Sequence, residues 1–102
     1  MQVTTDDFLN SLEQWIKNDL MTKGNGWQKA GAMFIFLQSK ERIRNMLTQL
    51  APLSDNGKFE VDSLHDHLTQ ALAAAGNTLT VPFLNYQFDK IDLDKIFTYL
   101  KE

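Results

Sequence analysis

The sequence contains no cysteine, and this absence removes several classes of function. Disulfide bonds, thiolate nucleophiles and cysteine-based zinc sites are all excluded. No apolar stretch approaches the roughly 20 residues that a membrane-spanning helix needs. The first seven residues are polar and acidic, which is not the pattern of a secretory signal peptide. We therefore expect a cytoplasmic protein with no membrane partner.

Length and composition predict a single globular helical domain over residues 1–102. Hydrophobic residues make up 43% of the chain, which is ordinary for a folded domain. A chain of this size buries roughly 60–70% of its unfolded surface, enough for a core without covalent staples. The sequence has no internal repeats and no low-complexity segment.

Net charge is small, at −3, but it is unevenly distributed. Residues 1–22 carry four acids against one lysine, and residues 59–102 carry seven acids against three lysines. Residues 23–58, between them, carry six bases against two acids. This charge distribution has two explanations. The basic middle segment forms a binding face, or oppositely charged parts of the chain attract each other, which is the more ordinary explanation.

An uninterrupted apolar block, Met33–Leu37, lies near the middle of the chain. Five consecutive large side chains cover every side of a helix or both faces of a strand, so the block is buried in the domain or against a partner. We favour a helix over 27–50, because no Gly, Pro, Asn or Asp separates Leu37 from Lys40. A break is expected at Gln38–Ser39, with Ser39 as the N-cap of the second part. A buried strand over Ala32–Leu37 is the alternative.

Apolar spacing elsewhere predicts a mainly α fold, a compact bundle of four to five helices. The clearest helix spans 5–22, is capped by Thr4 or Thr5 and ends at Gly24-Asn25-Gly26. Two more helices are predicted over 63–75 and from residue 92, with Asp62 and Asp92 as their N-caps. The first helix has one apolar stripe, formed by Phe8, Leu12, Trp15, Ile16 and Leu20.

Two short segments alternate as strands do, 58–61 and 78–83. They predict a minor two-stranded β element, in which Pro82 restricts the second segment to an edge. The turn Ser54-Asp55-Asn56-Gly57 precedes the first of them, since Asp and Asn bond their own backbone and Gly accepts positive φ.

Residues that could carry chemistry are few. His65 and His67 lie two positions apart on a predicted helix, so they point to opposite sides and cannot share a metal. The aspartates near His65, and those of the loop before the last helix, are better explained as caps and first-turn residues than as ligands. We predict no catalytic residue, no metal site and no cofactor, and hence no enzyme.

A cluster of basic residues directly after the predicted break at Gln38–Ser39 suggests one alternative function. Lys40, Arg42, Arg44 and Asn45 are the residue types with which a recognition helix contacts phosphates and bases. Glu41 within the cluster and a pI near 5.2 argue against it. Nucleic-acid binding by residues 38–49 is therefore possible but not favoured.

Residues 62–100 suggest a third function. Asp62-Ser63-Leu64 opens a helix, Val81-Pro82 follows, and the chain closes on a short helix containing 97–100. This arrangement resembles the C-terminal part of an acyl or peptidyl carrier protein. The resemblance implies that Ser63 carries a phosphopantetheine arm. Residues 1–38 have no counterpart in that fold.

The favoured hypothesis is a small non-enzymatic module that regulates or binds another protein, or itself as a dimer. An apolar block wider than one helix side, in a chain without site chemistry, favours this function. The predicted partner-binding residues are Trp27, Phe34, Ile35 and Phe36.

Overall fold

The structure is a computed structural model that describes residues 1–20, 26–54, 56–76, 79–81 and 86–101. Within these residues, helices dominate and short strands make two small ribbons, so the predicted mainly α fold class is confirmed. In chain order, the elements are β1 (Gln2–Val3), α1 (Thr5–Trp15), a π-helical turn (Ile16–Leu20), α2 (Gly26–Gln38), α3 (Lys40–Leu50), β2 (Phe59–Glu60), α4 (Val61–Ala74), β3 (Leu79–Val81), β4 (Tyr86–Phe88) and α5 (Lys90–Lys101).

The first helix begins where its capping residues require. Thr4 accepts a hydrogen bond from the Asp7 N–H at 3.1 Å, and the Asp7 carboxylate accepts one from the Thr4 N–H at 2.9 Å. This reciprocal pair is a capping box, and it satisfies two amides that the helix leaves free. The predicted apolar stripe is buried from Phe8 to Ile16. The predicted terminator Gly24-Asn25 lies outside the described residues, and Gly26 already belongs to α2.

The apolar block is helical, and the strand alternative for Ala32–Leu37 is wrong. The predicted break is confirmed at Ser39, which separates α2 from α3. The Ser39 N–H donates to the Phe36 carbonyl at 3.0 Å, and its own carbonyl accepts from the Ile43 N–H at 3.0 Å. Ser39 is buried and occupies the cap position without a side-chain capping bond.

Both predicted strand segments contain a strand, but they do not pair with each other. Antiparallel β2 pairs with β1, so that Val3 faces Phe59, while β3 pairs with β4. The ribbon of β1 and β2 leads directly into α4, whose first N–H, from Val61, donates to the Met1 carbonyl at 3.0 Å. Pro82 lies outside the described residues.

Two predicted helix starts are displaced. Helix α4 begins at Val61, and Glu60, not Asp62, occupies its N-cap position. Helix α5 begins at Lys90, so Asp92 lies inside its first turn. Its cap is Asp89, whose carboxylate accepts from the Asp92 N–H at 2.9 Å, while Asp92 accepts from the Asp89 N–H at 3.2 Å. A second capping box therefore starts the last helix.

The core lies where α1 and α5 pack together, with α3, α4 and the end of α2 around them. The rings of Phe8 and Phe97 meet edge to face across this contact, with centroids 5.9 Å apart. The largest fully buried side chains among those described are Trp15, Phe36, Phe59, Ile16, Ile43, Leu47, Leu64 and Ile96. Among the described residues, no helix is both long and apolar enough to cross a membrane.

We expect Asp89→Ala to lower the free energy of unfolding by about 1 kcal/mol, because it removes the acceptor for a free amide of α5. Lys90→Ala is the matched control, since this exposed neighbour should change stability by less than about 0.5 kcal/mol. Urea denaturation of both variants measures the difference. Equal losses would contradict the capping role of Asp89.

Candidate interaction surface

Helix α2 divides its apolar side chains between the core and solvent. Phe36 is fully buried, and Met33 is half-buried against the core. In contrast, Phe34 is 62% exposed, Leu37 is 50% exposed and Ile35 is 37% exposed. We call these three exposed residues the α2 face. The structure thus places predicted Phe34 and Ile35 on the surface, Phe36 inside, and Trp27 on α2, where its side chain lies outside the described residues.

The geometry of α2 places Phe34 and Leu37 side by side, whereas Ile35 and Leu37, two positions apart, point to different sides of the helix. Positions three or four apart lie on the same side of a helix, which brings together Phe34 and Leu37. Gly31 precedes Phe34 by three positions and Ile35 by four, so it continues the α2 face by one turn. A Cβ atom built on Gly31 would meet no atom of a described residue within 4 Å.

Two cationic residues follow α2 in the sequence, one on each side of Glu41. The Lys40 ammonium lies 5.7 Å from the centroid of the Phe36 ring, and Arg42 is exposed two residues later. Neither forms an ion pair with another described residue. Helix α2 itself contains Lys29 and no acidic residue.

Arg44, another member of the predicted basic cluster, is engaged by two carboxylates at the surface. Its Nε donates to the Asp6 Oδ1 at 3.2 Å, and its Nη1 donates to Glu41. The hydrogen bond to Asp6 is the main reason that the pKa of Arg44 is raised above its ordinary value. Both carboxylates compensate its charge, and the contact with Asp6 connects α3 to α1. Of the predicted nucleic-acid residues, Lys40, Arg42 and Asn45 remain available at the surface or near it.

Ser63 lies in the first turn of α4 and is half-buried. Its Oγ is 3.5 Å from the His67 Nδ1, but that nitrogen is only 2.8 Å from the Ser63 carbonyl oxygen. Because a carbonyl oxygen only accepts, the His67 Nδ1 must carry a proton here and donate it. In this tautomer, His67 cannot withdraw the Ser63 hydroxyl proton through Nδ1, so the pair does not activate a nucleophile.

His65 points away from His67, to the contact between α4 and α5. Its Nε2 is 2.9 Å from the Asp94 Oδ1, and its ring meets the Phe97 ring edge to face at 4.9 Å. The aspartate that it contacts comes from another helix, 29 residues later, and sequence spacing does not predict such a pair. In the described part of the chain, no group of three or more His, Asp or Glu side chains is placed to hold a metal.

A polar cluster that the sequence analysis missed joins the π-helical turn to α5. The Tyr99 hydroxyl donates to the Asp19 Oδ2 at 2.8 Å, and the Lys95 ammonium lies 3.2 Å from the Asp19 Oδ1. The hydrogen bond to Asp19, together with burial, raises the pKa of Tyr99. These residues are 76 to 80 positions apart, and no local motif connects them. The cluster fixes the end of the first helical segment.

The division of α2 predicts opposite outcomes for two neighbouring phenylalanines. Phe36→Ala should lower the free energy of unfolding by about 3–5 kcal/mol, because it leaves a cavity in the core. Phe34→Ala should change it by less than about 0.5 kcal/mol, because most of this side chain already faces water. Chemical denaturation followed by circular dichroism compares the two. Similar losses would show that α2 does not pack as described.

The Asp19–Tyr99 hydrogen bond predicts a pH dependence at the alkaline end. The folded state holds Tyr99 protonated above its ordinary pKa of 10.0, so the stabilisation is complete below that pH. It is lost as the pH rises through the folded-state pKa. The free energy of unfolding should therefore fall more steeply with pH in the unchanged protein than in Tyr99→Phe.

An ultraviolet titration of tyrosinate checks the cause. The difference between the unchanged protein and Tyr99→Phe isolates the ionisation of Tyr99, with Tyr86 common to both proteins. Its midpoint should lie above 10.0 and move down in Asp19→Asn, which replaces the carboxylate by a neutral amide. A midpoint that Asp19→Asn leaves unmoved would contradict the assignment.

Comparison of the chain with protein-family models, with curated proteins and with solved structures finds no match in any of the three. Among the described residues, the α2 face brings together three large exposed apolar side chains on one helix.

Proposed function

We propose that this protein is a small, non-catalytic interaction module of the cytoplasm that binds another protein through the α2 face. The observation that carries the proposal is the exposure of Phe34, Ile35 and Leu37 on the helix whose Phe36 and Met33 pack in or against the core. Single exposed apolar residues are common on protein surfaces, but adjacent ones on a helix are typical of interaction sites. Aromatic anchors such as Phe34 contribute strongly when a partner covers them.

The attachment of α2 supports the same function. Phe36 is buried in the core and Met33 packs against it, so the backbone that carries the exposed residues is anchored. A partner would then meet side chains held on a regular helix, and binding would require less ordering than on a free segment. The exposed face is thus presented in a form suited to docking.

The alternative functions have weaker support. For nucleic-acid binding, Arg44 is already engaged by Asp6 and Glu41, which leaves fewer cations for phosphate. For the carrier function, Ser63 lies in the first turn of α4, as the resemblance requires, but it is half-buried. Neither alternative accounts for the exposed apolar side chains of α2.

Site-specific photo-crosslinking tests the proposal. A benzophenone amino acid replaces Phe34 or Leu37 in the full chain, and in a control it replaces Ile91, an exposed apolar residue of α5. We expect crosslinked protein from positions 34 and 37 and none from position 91. Mass spectrometry identifies the partner and distinguishes a second copy of this chain, another protein or a nucleic acid.

The identified partner is then titrated against the purified protein. Phe34→Ala should weaken binding by about tenfold or more, as expected for an aromatic anchor at the centre of an interface. Ile91→Ala should leave the affinity unchanged. Equal crosslinking from all three positions, or an affinity that does not depend on Phe34, would overturn the proposal.

A further inference from the structure

We propose that the end of the first helical segment is a switch between two hydrogen-bond registers, and that α5 holds it in one of them. In the register of this structure, Ile16–Leu20 form a π-helical turn, and Asp19 contacts Tyr99 and Lys95. In the other register the same residues continue α1 as an α-helix, and these contacts are broken. The use of the switch to move α2 rests on the proposed function, whereas the switch itself does not.

The π-helical turn is an unusual way to end a helix. Each of its N–H groups donates to the carbonyl five residues earlier, so the turn contains one residue more than the α-helical turn it replaces. Fewer than about 1% of residues in globular proteins adopt this conformation, mostly in single turns that are often at functional sites. Residues 16–20 include neither Gly nor Pro, so their sequence is compatible with an α-helix. The reason for the wider turn therefore lies outside it.

The contacts of Asp19 with α5 supply that reason. The Tyr99 hydroxyl donates to one carboxylate oxygen at 2.8 Å, and the Lys95 ammonium lies 3.2 Å from the other. Lys95 and Tyr99 are four positions apart, so both donors come from one side of α5. The position of α5 is set by Ile96 and Leu100, which are buried in the core. Only 15% of the Asp19 side chain is exposed, so water competes little for its oxygens.

The two registers cannot share these contacts. Removal of the extra residue from the turn rotates the chain that follows by about 100° and moves it along the axis by about 1.5 Å. Because side chains extend about 5 Å from a helix axis, even half of that rotation displaces a carboxylate by roughly 4 Å. Neither hydrogen bond to α5 survives such a displacement. The Asp19 contacts therefore stabilise the π register and no other.

The register of the turn affects α2, the helix that carries the exposed Phe34 and Leu37. The π-helical turn contacts α2 directly, and α2 begins at Gly26, shortly after it in the chain. A rotation at the end of the turn is therefore transmitted to a helix that packs against it. A protein that binds α2 more tightly in one register shifts the equilibrium towards that register, and the Asp19 contacts change its affinity by the same factor.

Scalar couplings across hydrogen bonds, measured by NMR on the labelled full chain, distinguish the registers. In the π register the Leu20 N–H donates to the Trp15 carbonyl, and in the α register it donates to the Ile16 carbonyl. We expect the unchanged protein to show the Trp15 coupling. Asp19→Ala should lose this coupling and gain the Ile16 coupling, because the variant removes both contacts with α5.

Two further variants complete the comparison. Lys95→Ala/Tyr99→Phe removes both donors without changing the turn, so it should show the same transfer of coupling, and it decides the test if Asp19→Ala does not fold. Lys17→Ala is the control, since it also adds alanine to the turn but at an exposed position outside the Asp19 contacts. This control should keep the Trp15 coupling. The amide resonances of residues 31–37 in α2 should shift in the first two variants and stay in place in the control.

The outcomes separate the switch, its link to α2 and the interaction function. A Trp15 coupling that persists without the α5 contacts, or an Ile16 coupling in the unchanged protein, overturns the switch. A change of register that leaves the α2 resonances in place overturns only the link to α2. Crosslinking that is equal at positions 34, 37 and 91 overturns the interaction function and leaves the switch intact.

Discussion

The contact between α1 and α5 is the constraint on which the rest of the structure depends. These helices come from opposite ends of the chain and share the apolar centre of the domain, where Phe8 meets Phe97. Beyond it, Asp19 receives hydrogen bonds from Tyr99 and Lys95 of α5. Helices α3 and α4 and the end of α2 complete the core around this pair. Their positions therefore depend on a contact that no local segment can form alone.

Much of the secondary structure could be predicted from local sequence patterns. The apolar stripe and the Thr4 cap define α1, since both signals lie within a few residues. The break at Ser39 was also visible, because serine is a favoured N-cap residue and Glu41 lies in the first turn after it. The cap of α5 could not be assigned by the same means. Asp89 and Asp92 are three apart and accept from each other's N–H groups, so either residue fits the sequence signature of a cap.

Contacts between residues far apart in the chain could not be predicted from the sequence. The strand residues of 59–60 and 79–81 were recognisable, but their partners were not, because alternation describes the faces of a strand and not its neighbour. Within the Met33–Leu37 block, five apolar side chains give no polar contrast, so the sequence could not show that Phe36 is buried and Phe34 exposed. That distinction defines the candidate surface, and it required the neighbours of α2 in three dimensions.

The pairing of the first helix with the last has a consequence for synthesis. The partner of α1 leaves the ribosome about 80 residues after α1 itself, at roughly 5–20 residues per second. During that interval the part of the stripe that packs against α5, including Phe8, has no native surface to cover it. The nascent chain therefore carries an exposed apolar helix for several seconds, and cellular chaperones have time to bind it before the domain closes.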